Sequence, residues 1–312
     1  VKFDYILDPI RIGNLGIFLS QIKLPAQEIS KALHSVDMKI LDTDLAESIV
    51  RLKLSESEER LFRQRDKNLN LCRTEIRMIE IYDIIGLMSG CQLILLRREI
   101  DEELKRITNS ITDNLDAVYG LFHSTKMKEF FAMILRVVML VQNDKTIAGF
   151  TPTGLSKFSQ TKAGRTIFNI TCNILSKNKI DFCDFAPVLL DKIRKTNKIG
   201  DISATVQTLH EKKEKIFSVK KNFENDILID ERLKPFIASF EDFFSDMKYQ
   251  ILEITRRIQH FQDLFKTTQC LYLCEERQEV SVFYSQFENI LNLINNFRLN
   301  EYKFEKQLFD ND

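Results

Sequence analysis

The sequence predicts an all-α protein built from long helices, and three observations carry that prediction. Only nine glycines and five prolines occur in 312 residues, far below the usual shares of about 7% and about 5%. Few turn formers mean few turns, and a sheet protein of this size would need many more. Apolar residues recur at helical spacing near the start and at heptad spacing toward the end. At 44% apolar and 29% charged, the chain is a folded one and not a disordered one.

The first helix follows Pro9. Leu15, Phe18, Leu19 and Ile22 fall at i, i+3, i+4 and i+7, one apolar stripe of an amphipathic helix. Pro25 opens a second helix, with Glu28 near its start. Several more helices fill 35–140. The run Leu93-Ile94-Leu95-Leu96, then Arg97-Arg98-Glu99, reads as a buried turn passing into a charged helix through about Tyr119. Residues 143–165 hold three of the nine glycines, Gly149, Gly154 and Gly164, together with Pro152. They read as the longest loop, and a long loop in a helical protein is often functional. A helix over about 165–178 follows, and Pro187 marks another break. From 201 the pattern is a coiled coil. Phe240, Met247, Ile254 and Phe261 recur every seven residues, as do Phe244, Ile251, Ile258 and Phe265, giving an a/d seam. Leu209, Ile216 and Phe223 carry the same period in the helix before it. The two should form an antiparallel hairpin turning near Leu233-Lys234-Pro235. Phe283 to Phe309 is a last helix, with Phe287, Ile290, Leu291 and Ile294 on one face.

Composition also sets exclusions. Lysine plus arginine and aspartate plus glutamate both number 45, so a general nucleic-acid binder, which needs a basic excess or stripe, is not expected. No apolar run approaches the length of a membrane span, so no membrane insertion is expected. Scattered cysteines without a secretory signal suit a reduced, cytoplasmic chain. The opening on Val1 suits a piece of something longer. Phosphate-loop, dinucleotide and HExxH motifs are missing, and "HEKKEK" from His210 lacks a second histidine. His34, His123, His210 and His260 are far apart. Cys270 and Cys274, four apart, could bind metal only with two outside ligands, and they read as small helix residues near a core. No enzyme, metal or cofactor is expected. The lysine run Lys212, Lys213, Lys215, Lys220, Lys221 reads as a solvated helix face.

Two places break the pattern. At about 100° per residue Ile17 points nearly opposite Leu15, away from the first helix's core stripe, and Ile10 and Gly13 share that rear face. Such an isoleucine is either covered by a neighbouring helix or offered to a partner, since lone exposed apolar residues are normal. The second place is Gly149-Phe150, Lys157, Thr161-Lys162 and Arg165, where three cations crowd a glycine-bearing segment. It is either a solvated loop or a contact for an acidic protein surface.

At these residues the chain resembles the formin homology 2 (FH2) domain of formins. In residues 6–33 Asp8, Arg11, Asn14, Ile17, Leu19, Pro25 and Glu28 match the family's first motif in register. Gly149-Phe150, Leu155, Lys157 and Thr161-Lys162 fit its second, with Gln160 where the family usually has aspartate. Ile294 to Arg298, "INNFR", is a third and weaker match. The resemblance implies one FH2-like domain over 1–312, an elongated multi-helix rod. Its knob would span roughly 1–90, its coiled-coil bundle 90–120 and 200–280, and its post 121–199 and 281–312. It implies an actin-binding, cytoskeletal protein that promotes filament nucleation and barbed-end elongation as a dimer. Ile17 would be the apolar actin contact and Lys162 the basic one, with Arg11, Asn14, Lys157 and Arg165 beside them and Gly149, Phe150 and Thr161 shaping the second motif. Actin is acidic, so a local cationic patch suffices without net charge.

The departures bear on pairing. Where the family's post has Gly-Asn-x-x-Asn, this chain has Val138-Met139-Leu140-Val141-Gln142. The family's tryptophan-bearing lasso precedes the first motif, and the sequence contains no tryptophan. The expectation is therefore a divergent FH2 core, monomeric and weak as given, that pairs with a second FH2 chain only when that arm is present. A helical coiled-coil adaptor or tether without actin activity explains the heptads and composition equally well, but not the two motifs.

Overall fold

The structure is a computed structural model and describes residues 4–65, 69–178, 181–196, 202–274 and 279–309. It is all-α, with no strand among the described residues. The helices are α1 (Pro9–Gln21), α2 (Ala26–Ser35), α3 (Thr43–Arg51), α4 (Glu56–Arg63), α5 (Arg73–Tyr82), α6 (Leu87–His123) and α7 (Thr125–Gln142). There follow α8 (Pro152–Ser159), α9 (Lys162–Asn178), α10 (Phe185–Thr196), α11 (Ile202–Ile229), α12 (Lys234–Ala238), α13 (Glu241–Leu271) and α14 (Val280–Phe309). Single 3-10 turns at Phe182–Asp184 and Glu231–Leu233 precede α10 and α12. Among the described residues no single helix is long and apolar enough to cross a membrane.

The chain forms two compact units, Val1–Lys105 with Val206–Ile251, and Arg106–Thr205 with Leu252–Asp312. In the first, α1 packs on α3 and α5, and α12 on α2. Its core includes Leu15, Ile29, Leu33, Ile49, Met78 and Leu93, all fully buried. The expected hairpin is present here. Phe217 of α11 stacks on Phe244 of α13, Lys220 lies over the same ring, and Lys248 lies over Phe217. Residues later in α11 thus meet residues earlier in α13, as an antiparallel pair requires. Arg97 sits over both Phe240 and Phe243, at 5.5 and 5.4 Å from their centroids.

In the second unit α7 packs on α9, and α14 packs on α8, α9 and α10. Phenylalanines fill it. Phe130 meets Phe168 at 5.3 Å, and Phe283 meets Phe287 at 4.8 Å. The Tyr272 hydroxyl donates to the Leu121 carbonyl and the Tyr284 hydroxyl to that of Asn114. The polar end of each buried ring is therefore satisfied.

Two expectations change in detail. The heptad seam is buried at seven of its eight positions, from Phe240 to Phe265, but Ile258 is only half-buried. The helix that carries Cys270 stops at Leu271, because Leu273 takes a left-handed conformation with φ 56°. Cys274 therefore lies past the helix end, and the two cysteines do not share a helical face.

Candidate actin-binding surfaces

The start of α1 is set by two neighbouring residues. The Asp8 carboxylate accepts the Ile10 amide at 2.9 Å, and Pro9 occupies the first turn, where its missing N–H leaves no donor unused. That fixes the rotation of the helix. Ile12, Leu15, Leu19 and Ile22 turn inward and are buried, while Phe18 is half-buried. Ile17 is 62% exposed and Ile10 is 76% exposed. Among the described residues no neighbouring helix covers either isoleucine, so of the two alternatives the sequence offers, the rear face is open. Asn14 is exposed beside them.

Arg11 is engaged within the chain. Its Nε donates to Glu58 Oε1 at 3.0 Å, and its Nη2 donates to the Lys53 carbonyl at 3.0 Å. Glu58 is also the return half of a capping box, accepting the Ser55 amide at 2.7 Å at the start of α4. Burial pushes the Glu58 carboxyl up, but the Ser55 N–H and the Arg11 guanidinium outweigh it and leave the group below its ordinary value. Arg11 thus ties α1 to α4, and Ile17 is presented from a braced helix.

The second motif is more ordered than expected. Instead of one long loop over 143–165, only residues 143–151 lie outside helices before α8 begins. Thr151 caps α8 by accepting the Gly154 amide at 3.0 Å, and Pro152 is its first residue. Leu155 is fully buried, Thr153 accepts from Gln286 of α14 at 2.9 Å, and Phe150 stacks on Phe158 at 6.5 Å. A second helix start follows at once. The Thr161 hydroxyl donates to the Phe158 carbonyl at 2.8 Å and accepts the Gly164 amide at 2.9 Å. A Cβ on Gly164 would stand 2.0 Å from that same carbonyl oxygen, so no other residue fits there. Thr161 and Gly164 together place Lys162 at the first position of α9.

Lys157, Lys162 and Arg165 are all exposed, and the first turn of α9 contains no acidic residue. Arg165 donates to the Gln160 carbonyl at 3.1 Å. Among the described residues neither Lys157 nor Lys162 has an acidic partner. Lys162, at the first position of α9, opposes the helix dipole by about 0.3–1 kcal/mol, whereas Lys157 lies in the last turn of α8, where the dipole favours a cation. The three exposed cations make the corner electropositive, as suits an anionic partner surface. A Cβ on Gly149 would meet the Leu273 side chain at 3.9 Å, an ordinary contact.

The stretch expected to differ from the family, 138–142, is the end of α7. Val138 is buried, but Leu140 is 81% exposed and Val141 62% exposed, and Asn143 closes the helix in the left-handed region. In the third motif Ile294 is fully buried and Arg298 pairs with Asp184.

With this geometry in place, comparison with known proteins gives one family. The model of the Formin Homology 2 Domain matches residues 2–299. The chain belongs to that family, as its two motifs and its all-α fold anticipate. Protein diaphanous homolog 3 of Homo sapiens is 23% identical over 307 residues, which cover 94% of this chain and 24% of that protein. Formin-like protein 6 of Oryza sativa subsp. japonica is 22% identical over 263 residues, covering 80% of this chain and 19% of that protein. Formin-like protein 2 of Bos taurus is 24% identical over 230 residues, covering 66% and 21%. The chain therefore spans between 19% and 24% of the length of these relatives.

Gly164 is the feature the sequence reading passed over. Its signal was available as a glycine three residues after a capping threonine. Glu58 as the partner of Arg11 left no signal, because 47 residues separate them.

Proposed function

We propose that this chain is an actin-binding FH2 core. It contacts actin through Ile17 on α1 and through the Lys157, Lys162 and Arg165 corner at the start of α9. Paired with a second FH2 chain, it promotes filament nucleation and barbed-end elongation. Pairing supplies avidity, since one half stays bound while the other exchanges. No bond chemistry is assigned to it.

One observation carries the reading. Ile17 is 62% exposed on a helix whose other apolar positions face the core, apart from Ile10 beside it. The family's apolar actin contact falls on this residue. Asn14 flanks it as a polar rim contact, and Arg11 acts by bracing the helix. Gly149, Phe150 and Thr161 shape the second contact without touching actin.

The test is an actin assembly assay followed by pyrene fluorescence, with the full-length protein and its Ile17→Ala variant. The variant should lose nucleation while keeping the helical circular-dichroism signal and melting temperature of the parent. Undiminished nucleation by a well-folded Ile17→Ala protein would overturn the role given to α1. Failure of the parent to co-sediment with filaments at any protein concentration would favour an adaptor without actin activity.

A further inference from the structure

Helix α5 packs against α1, and Thr74, Glu75 and Arg77 reach α1 at its middle and at both ends. Thr74 stands against the middle, where a Cβ on Gly16 would meet its side chain at 3.6 Å. The Glu75 carboxylate grips the chain just before α1. Its Oε1 accepts the Ile6 amide at 2.7 Å and the Leu7 amide at 3.2 Å. Arg77 grips the chain just after α1, where its Nη2 donates to the Leu24 carbonyl. One step further out, the Asp4 amide donates to the Asn70 carbonyl at 3.0 Å, and the Asn70 amide donates to Asp4 Oδ2 at 3.2 Å.

Glu75 is 1% exposed, and among the described residues no cation pairs with it. Burying a carboxylate without a counter-charge costs free energy. The two amides offset that cost, as does the Cys72 thiol, which donates to Oε2 at 3.5 Å. So does the place of Glu75 in the first turn of α5, where the helix dipole favours an anion. An apolar side chain of similar volume would fill the space without the cost, so packing alone does not call for a carboxylate. What the carboxylate supplies is an acceptor at a fixed place for two main-chain N–H groups that lie outside α1 and have no helical partner.

We infer that Glu75 and Arg77 are positioning residues, which clamp the two ends of α1 to α5 and so set the place of Ile17 without touching the partner. This rests on the actin reading above and adds to it the element that aims the contact. Both residues grip main-chain atoms, so the clamp locates the helix and not a particular side chain. A helix held at both ends neither slides along α5 nor swings away from it when Ile17 is loaded.

The test uses the full-length protein, with affinity for actin filament ends and amide hydrogen exchange measured on the same samples. Glu75→Leu and Arg77→Leu should each weaken binding about fivefold, and each should lose most of that effect in an Ile17→Val background, because residues acting through one contact are not additive. Glu75→Leu should also speed exchange at the Ile6 and Leu7 amides. Glu75→Gln keeps a carbonyl oxygen for those amides and should bind as the parent does. The Arg77 side chain is partly exposed, so Arg77→Leu tests the clamp even where Glu75→Leu does not fold. A purely structural role would give losses that multiply with that of Ile17→Val, and that result overturns the inference. Ile17→Ala is the control for the underlying reading. If it weakens binding while folded Glu75→Leu and Arg77→Leu proteins bind as the parent does, the clamp is wrong and the Ile17 contact stands. If Ile17→Ala binds as the parent does, both fall.

Discussion

Helix α1 and the corner where α8 meets α9 carry the two proposed contacts, and they are built by opposite means. The α1 face is apolar and uncharged, and its cation is tied back to Glu58. The α9 corner carries Lys157, Lys162 and Arg165 with no acid in its first turn. Both helices start on a side-chain cap, Asp8 in one and Thr161 in the other. Each cap fixes a helix rotation, and the rotation decides which residues face out. The lesson is that one local device, a capped helix start, can present either hydrophobic or electrostatic recognition. The side chains of the next two turns choose between them.

That contrast predicts different sizes and different salt responses. The largest effect is expected from Ile17→Ala, because a buried apolar anchor at an interface centre is commonly a hot spot of 2 kcal/mol or more. Affinity for actin filament ends should fall at least about 30-fold, equally at low and high salt. Next comes Lys162→Asp. It should weaken binding about tenfold at low ionic strength, and the loss should shrink as salt rises, since the Debye length falls from about 10 Å at 0.1 M to about 3 Å at 1 M. Equal salt dependence for the two variants would erase the distinction between the surfaces.

The two regions also differ in how much of them the sequence revealed. The direction of the α1 face was legible, since helical periodicity put Ile17 and Ile10 opposite the stripe of Leu15 and Leu19, but the sequence leaves open whether a neighbouring helix covers Ile17. The direction is decided within one helix, whereas exposure and the Glu58 brace depend on helices far along the chain. The α8–α9 corner was legible only in its motif residues. Glycine content suggested one loop over 143–165, whereas Thr151-Pro152 and Thr161 start two helices there. The glycines misled because Gly164 serves close packing against a carbonyl and not a turn. The heptads gave the α11–α13 hairpin correctly, since hydrophobic burial repeats with the helix. Cys274 reads as a helix residue but lies past the end of α13 at Leu271, because the left-handed Leu273 has no propensity signal.

The two glycines sharpen the contrast further. Alanine at Gly13 meets open space and should stabilise the helix, while alanine at Gly164 must displace the Phe158 carbonyl from 2.0 Å. Gly164→Ala should therefore destabilise the fold by about 1–3 kcal/mol, the range of overpacked sites, visible as a lower midpoint in chemical denaturation. It should also weaken actin binding by shifting Lys162, and that loss should fade with salt as the Lys162→Asp loss does. A Gly164→Ala protein as stable as its parent would show that the corner is less tightly determined than the α1 start.

The smallest expected effect concerns how each surface is held. The α1 face depends on an ion pair, whereas the α9 corner is fixed by a neutral hydroxyl, so only α1 should answer to mild acid. The Glu58 carboxyl is held below its ordinary value of 4.5. A depressed carboxyl contributes stability above its unfolded pKa, and that contribution is lost as pH falls through the folded one. Glu58→Gln should therefore lower the melting temperature slightly at pH 7, and the two proteins should converge as pH falls through the depressed range of the Glu58 carboxyl. Amide hydrogen exchange supplies the local check: α1 and α4 amides should speed up in Glu58→Gln at pH 7, while those at the start of α9 stay as in the parent. If the α9 amides respond as strongly as those of α1, Glu58 stabilises the whole fold and not the helix that presents Ile17.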